Sequence, residues 1–268
     1  MSLWEAAFLG IIQGLTEFLP VSSSGHLVIT QYILGVNKPG ITFEVFVHFG
    51  TLLSVFWVFY YDIKKIIKAG LWITSDLQAR RMFYLLLTGC VPTGLMGVLF
   101  HSFFLGVFNS VLTVGFMLLL TGSLLWMINW KVPGKKKVNQ MTFWDALLVG
   151  FFQGLAIIPG ISRSGATISA ALFKDLNRET AVRYSFILAL PAILGASLME
   201  IRKLLLGINE GEVLIFLVVG ALLAFLSGVL AIRTFIRFLH LGKLHFFAYY
   251  CWLIGSLVIL WQVTQSFN

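Results

Sequence analysis

The chain alternates long apolar runs with short polar and basic segments, and two of the apolar runs are interrupted in the same way. Residues 3–35 are apolar but broken by Gln13, Glu17, Pro20, three consecutive serines, Gly25 and His26. Residues 142–173 repeat that plan with a break at Pro159-Gly160. The apolar stretch on either side of each break is too short to cross a core that needs about 20 apolar residues. Each region is therefore expected to form a helix–break–helix hairpin that enters and leaves on one side. Unbroken apolar runs follow the first hairpin at 42–61, 82–104 and 108–130, and the second at 184–200, 212–232 and 245–264. The pattern predicts an all-α integral membrane protein, a single domain over 1–268 with six transmembrane helices and two re-entrant hairpins.

The two halves are related. Gln13, Gly14, Leu15, Ser22, Ser24 and Gly25 recur 140 positions later as Gln153, Gly154, Leu155, Ser162, Ser164 and Gly165. This divides the chain into repeat one (1–134) and repeat two (141–268) around a basic linker at 131–141. Three crossings separate the hairpins, so the second copy must enter from the opposite face. The expectation is an inverted-topology repeat whose tips meet near the midplane, an arrangement that points to a binding site at the tips.

Composition supports membrane residence: of 268 residues 59% are hydrophobic and 11% charged, with mean hydropathy +0.92. Net charge is +8, but fifteen of the nineteen lysines and arginines fall in 62–81, 131–141, 174–183 and 233–243. Basic residues gather in cytoplasmic loops, so these segments are placed inside and both termini outside. No soluble segment carries a nucleic-acid footprint, and no nucleic-acid partner is expected. The start, Met1 to Glu5, lacks the basic region of a signal peptide, so the first segment is expected to be retained. Cys90 and Cys251 lie mid-span and are read as packing residues.

Polar groups at membrane depth are the candidates for chemistry, because ionisable side chains there are costly and usually functional. Arg163, between Ser162 and Ser164, offers a rigid fork of donors matched to phosphate oxygens; the rival reading is an ion pair with Glu17 or Glu44. Gln13 and Glu17 are four apart and share a helix face. Ser22, Ser24, Ser162 and Ser164 sit at expected helix starts, where they cap orphan N–H groups or, with the dipole, form an anion site. Thr167 lies one turn on. His26 is suited to general acid–base or nucleophilic work. Glu44 and Glu17 together would suit Mg²⁺ or Ca²⁺ held against phosphate oxygens. His48 is left to packing or a hydrogen bond, Asp145 to a first-turn acid, and His101, His240 and His245 to the interface.

At Gln13-Gly-Leu-Thr-Glu17, Pro20-Val-Ser-Ser-Ser-Gly-His26, Phe43-Glu44 and Pro159-Gly-Ile-Ser-Arg-Ser-Gly-Ala-Thr-Ile168 the chain resembles the undecaprenyl-pyrophosphate phosphatase, or bacitracin-resistance protein, family. The resemblance covers essentially the whole chain. It implies a phosphatase of the bacterial cytoplasmic membrane that converts undecaprenyl pyrophosphate to undecaprenyl phosphate and so recycles the carrier lipid for cell-wall synthesis. It implies further an active site open to the outer face, and it raises a homodimer. Carried over by position, Glu17, His26 and Arg163 match the family's catalytic residues. Ser22, Ser23, Ser24, Ser162, Ser164 and Thr167 match its phosphate-contacting hydroxyls, with Gly25 and Gly165 in the same turns. Gln13 stands where some members have a second glutamate; an amide brings a carbonyl but no charge, which throws weight onto Glu44. Lipid phosphatases of the phosphatidic-acid type share Ser-Gly-His and Ser-Arg segments, but their second histidine is replaced here by Ser169.

Three mechanisms stay open: attack by His26, attack by Ser23 with His26 as base, and attack by metal-activated water. In each, Glu17 orients or activates the nucleophile. A polyprenyl-phosphate transporter or flippase is the alternative, because inverted repeats with broken helices are common in transporters.

Overall fold

A computed structural model describes residues 1–36, 40–100, 110–132, 134–207, 211–240 and 242–266. Their regular structure is helical, save one isolated parallel bridge between Lys136 and Leu176. In order, the helices are α1 (Leu3–Phe18), α2 (Ser23–Leu34), α3 (Gly40–Val58), α4 (Tyr60–Gly70), α5 (Leu77–Leu99) and α6 (Val111–Asn129). After a 3₁₀ turn at Val138–Gln140 come α7 (Phe143–Leu155), α8 (Arg163–Phe173), α9 (Arg178–Gly207), α10 (Gly211–His240) and α11 (His245–Ser266). His101 and Lys38 lie outside the described residues, as do the side chains of His240, Arg202 and Lys203.

Both expected breaks are present. α1 opens on a capping box between Ser2 and Glu5 and stops before Pro20; α2 then starts from the N-cap Ser22. α7 opens on a capping box between Thr142 and Asp145, and α8 starts from the N-cap Ser162. Asp145 is thus the first-turn acid the sequence suggests, and it also receives ion pairs from Lys136 and, at 3.7 Å, Lys174.

The expected loop at 62–81 is mostly helix. The chain bends by 82° after Val58, and α4 runs on with Ile63, Ile66 and Ala69 buried and Lys64, Lys65 and Lys68 turned out. Apolar positions three apart make one stripe, which the lysine pattern alone hid. Likewise α9 begins at Arg178 and α10 runs to His240, so 174–183 and 233–243 are short turns flanked by basic helix ends.

Among the described residues four helices, Leu77–Leu99, Val111–Asn129, Leu214–Leu239 and His245–Gln265, are long and apolar enough to cross a membrane, and the bent α3–α4 pair makes a fifth if it is counted as one span. The basic segments share one end of the bundle. Arg81 donates to the Met141 carbonyl at 2.7 Å, Arg183 pairs with Asp62 at 3.5 Å, and Lys131 with Asp175 at 3.0 Å.

Packing interleaves the halves. α1 lies mainly against α10, and α7 mainly against α5. The close approach is made by glycines in matching places. A Cβ on Gly10 would fall 2.4 Å from the Gly220 carbonyl oxygen, and one on Gly150 would fall 1.9 Å from that of Gly89. Under the end of α1, Phe18 packs edge-on against Phe186 with centroids 5.4 Å apart, and Phe186 meets Phe59 and Phe235 in turn.

Candidate active site

The two hairpin tips are stitched together. The Ser22 hydroxyl accepts the Gly25 N–H at 3.3 Å as a helix cap and the Gly160 N–H of the other tip at 3.1 Å. Ser22 holds a left-handed φ of 69°, a strained conformation for a residue with a Cβ. Gly160 has φ 96°, and a Cβ there would lie 2.6 Å from the Val114 carbonyl oxygen, so only glycine fits.

Each tip is also held by a helix of the opposite kind. Thr121 on α6 donates its hydroxyl to the Gly160 carbonyl at 2.9 Å and accepts the Ser162 N–H at 3.1 Å. Cys251 on α11 donates to the Pro20 carbonyl at 3.6 Å. Cys251 is therefore more than a packing residue, although a thiol is a weak donor.

Glu17, 7% exposed, is the hub. Its Oε1 accepts from Arg163 Nη2 at 2.5 Å. Its Oε2 accepts the Ser23 hydroxyl at 2.5 Å and the Gln13 amide at 2.9 Å, and lies 3.7 Å from His48 Nε2. The ion pair anticipated as the rival reading of Arg163 is thus formed. It leaves Arg163 Nη1 buried without a hydrogen-bond partner, and Gln13 Oε1 is in the same condition. Buried polar atoms are nearly always paired, so an unpaired guanidinium donor and an unpaired acceptor beside one carboxylate mark a place built for a polar ligand.

His26 stands one turn from Ser23 on the same face of α2. Its Nδ1 lies 2.8 Å from the Ser22 carbonyl and its Nε2 2.8 Å from the Tyr250 hydroxyl. A carbonyl can only accept, so Nδ1 carries the proton and, in the neutral ring, Nε2 offers the lone pair that Tyr250 donates to.

The remaining expected phosphate contacts are engaged within the protein. Ser162 caps α8 through the Gly165 N–H at 3.1 Å; Ser164 donates to the Leu19 carbonyl at 3.3 Å; Thr167 donates to the Arg163 carbonyl at 2.8 Å and meets the Ser185 hydroxyl at 2.5 Å. All three are buried, as is Ser22, so in this conformation they shape the tips. Ser24, half-buried, reaches the Ser22 hydroxyl at 3.4 Å. Gly25 and Gly165 allow close packing: added Cβ atoms would meet Val114 and Ser162 at 3.1 Å.

Glu44, expected with Glu17 to suit a divalent cation, has a hydrogen bond of its own. It accepts from the Gln31 amide at 3.1 Å, and among the described residues no three His, Cys, Asp or Glu side chains group as metal ligands. Sequence reasoning missed Tyr250, Thr121 and the approach of His48 to Glu17; Tyr250 is 224 positions from His26, with no local signal to join them.

Fold and site together define a multi-pass membrane protein with a charged, anion-suited centre between two helical hairpins. The chain belongs to the bacitracin resistance protein BacA family, whose model matches residues 6–257. It is 46% identical to the undecaprenyl-diphosphatase of Alkaliphilus metalliredigens, over 98% of this chain and all of the relative. Identity is also 46% to that of Halothermothrix orenii, over 97% and 98% of the two chains, and 41% to that of Carboxydothermus hydrogenoformans, over the full length of both.

Proposed function

We infer that this protein hydrolyses undecaprenyl diphosphate to undecaprenyl phosphate and inorganic phosphate, the activity named for its relatives, and thereby supports bacitracin resistance. The observation that carries the chemistry is the Arg163–Glu17–Ser23 chain, which crosses from one hairpin to the other. Arg163 holds the diphosphate through its free Nη1 and offsets charge that develops on the bridging oxygen. Ser23 attacks the terminal phosphorus, and its proton passes to Glu17 along the existing hydrogen bond. The bond from that phosphorus to the bridging oxygen breaks, and undecaprenyl phosphate leaves with the bonding pair. Water then attacks the phosphoserine, with His26 Nε2 taking its proton; the bond from phosphorus to the Ser23 oxygen breaks, Glu17 returns its proton to that oxygen, and inorganic phosphate departs. A second reading, attack by His26 itself, is favoured by the Nδ1–carbonyl bond, which keeps the proton on Nδ1 and leaves Nε2 with its lone pair.

A divalent cation fits this site in a limited form. Mg²⁺ is commonly held by one or two carboxylates plus substrate phosphates. Glu17 and the unpaired Gln13 Oε1 would hold Mg²⁺ or Ca²⁺, with Glu44, one of whose oxygens accepts from Gln31, as a further candidate ligand. The ion would supply positive charge against the phosphate oxygens.

The fold we propose is an inverted repeat with six crossings. Gly10 and Gly150, and likewise Pro20 and Gly160, lie 140 positions apart and make equivalent contacts with the opposite half. With the basic end in the cytoplasm, α1 and α2 enter from the outer face of the bacterial cytoplasmic membrane, and His26 opens to that side. A homodimer is left as a proposal of the family resemblance. Phosphate release from undecaprenyl diphosphate by purified protein in detergent, where transport is impossible, tests the reading. Release at enzymatic turnover supports hydrolysis; binding without release indicates a carrier.

A further inference from the structure

We propose that Tyr250 is a positioning residue for His26, holding the imidazole in one tautomer and one ring plane until the diphosphate arrives. This rests on the reading of His26 as a participant in the hydrolysis. The Tyr250 hydroxyl lies 2.8 Å from His26 Nε2, and the two rings are nearly parallel, with centroids 5.6 Å apart and planes 10° from each other. With the Ser22 carbonyl on Nδ1, both ring nitrogens are fixed, so the imidazole can neither flip nor change tautomer without breaking a bond.

The duplicated fold shows what is special about this pair. Pro20 and Gly160 are equivalent tip residues, held by Cys251 and Thr121 respectively. Counting from those anchors, His26 corresponds to Ala166 and Tyr250 to Leu120. One half therefore carries a hydrogen-bonded aromatic pair where the other carries two aliphatic residues. A pair needed only to join the end helix to a hairpin would serve equally in both halves.

α11 reaches α2 again three turns on, where the Tyr32 hydroxyl donates to Gln265 at 2.7 Å and the Tyr32 ring meets Trp261 edge-on. The Tyr250 contact spans the seam between these helices with its ring partly exposed. A diphosphate moving in along that seam draws the Tyr250 hydroxyl away from Nε2 and frees that lone pair for the attacking water. Tyr250 then donates to a phosphate oxygen instead, which keeps its own hydrogen bond made.

The test compares wild type, Tyr250→Phe and His26→Ala, each purified in detergent and assayed on undecaprenyl diphosphate, with ¹⁵N-histidine spectra of the first two. Phe keeps the stacked ring and removes only the hydroxyl. Expected are a kcat about tenfold lower with KM changed less than about twofold, the scale of one hydrogen bond made in the transition state. The His26 ring signals should move from a single Nδ1–H tautomer to a mixture. A Tyr250→Phe enzyme with unchanged kcat or unmoved His26 signals overturns the assignment of Tyr250. Full activity in His26→Ala overturns the role of His26 and that of Tyr250 with it. Thermal unfolding of both variants within a few degrees of wild type supports the kinetic comparison; for Tyr250→Phe, kinetic loss only through unfolding contradicts the proposal.

Discussion

Arg163 and Glu17, 146 positions apart in the chain, meet at 2.5 Å across the seam between the two hairpins. Both are largely buried, so desolvation makes the pair a poor source of stability unless other groups complete its hydrogen bonding. Ser23 and Gln13 do so on the carboxylate, while one guanidinium nitrogen is left over. In the proposed reading the pair is half of a constellation whose other half is the phosphate of the substrate.

Replacing Arg163 with Lys keeps the charge and loses the planar fork. A single ammonium cannot reproduce the two-nitrogen span by which the fork reaches Glu17 and a phosphate oxygen. The expected outcome is a loss of about 10²- to 10³-fold in kcat, the scale of one transition-state donor, read from phosphate release. Turnover within a fewfold of wild type would remove Arg163 from the phosphate contact.

Glu17→Gln removes the base and strands a buried guanidinium. The variant should lose about 10²- to 10⁴-fold in activity, as for a general base. It should also lose about 3–5 kcal/mol of stability, the usual result of breaking one side of a buried pair. A thermal shift in detergent beside the assay checks both parts.

Gly10→Ala and Gly150→Ala should destabilise the protein to a similar degree. In each, the new methyl would press on a carbonyl of the facing helix, at 2.4 Å and 1.9 Å before relaxation. Overpacking of this kind costs about 1–3 kcal/mol. Matched falls in the unfolding midpoint support the interleaved repeat; a loss at one site alone contradicts it.

Chelation is expected to lower turnover, with recovery on adding Mg²⁺ or Ca²⁺. Gln13→Glu should then tighten the metal dependence, since it adds a charge beside Glu17 at a spot where the amide oxygen has no partner. Undiminished activity after exhaustive chelation would leave Gln13 and Glu17 without a metal role.

Much of this architecture was legible because breaks are written locally. Pro20 with its serines and Pro159-Gly160 announce interrupted helices, and the 140-residue echo sets the two interruptions in matching motifs. The charged centre was legible for a similar reason, since Glu17 and Arg163 stand out against apolar surroundings. What could not be read were contacts set by tertiary packing. Nothing near Tyr250 or Thr121 points to a hairpin tip, and nothing near Glu44 announces its hydrogen bond from Gln31. The serines at the helix starts carried two meanings, cap and ligand, and burial favours the cap for Ser22, Ser162 and Ser164. The lysines of α4 disguised an amphipathic helix as a loop, because charge drew attention from the isoleucines beneath.

The central claim is that Ser23, activated by Glu17 and faced by Arg163, takes the terminal phosphoryl group. The most direct measurement is mass spectrometry of protein quenched in acid during turnover of undecaprenyl diphosphate. The account predicts an acid-stable phosphate on Ser23, absent from Ser23→Ala, which should also be inactive. An undiminished rate in Ser23→Ala, or an acid-labile phosphate carried by His26, would contradict it.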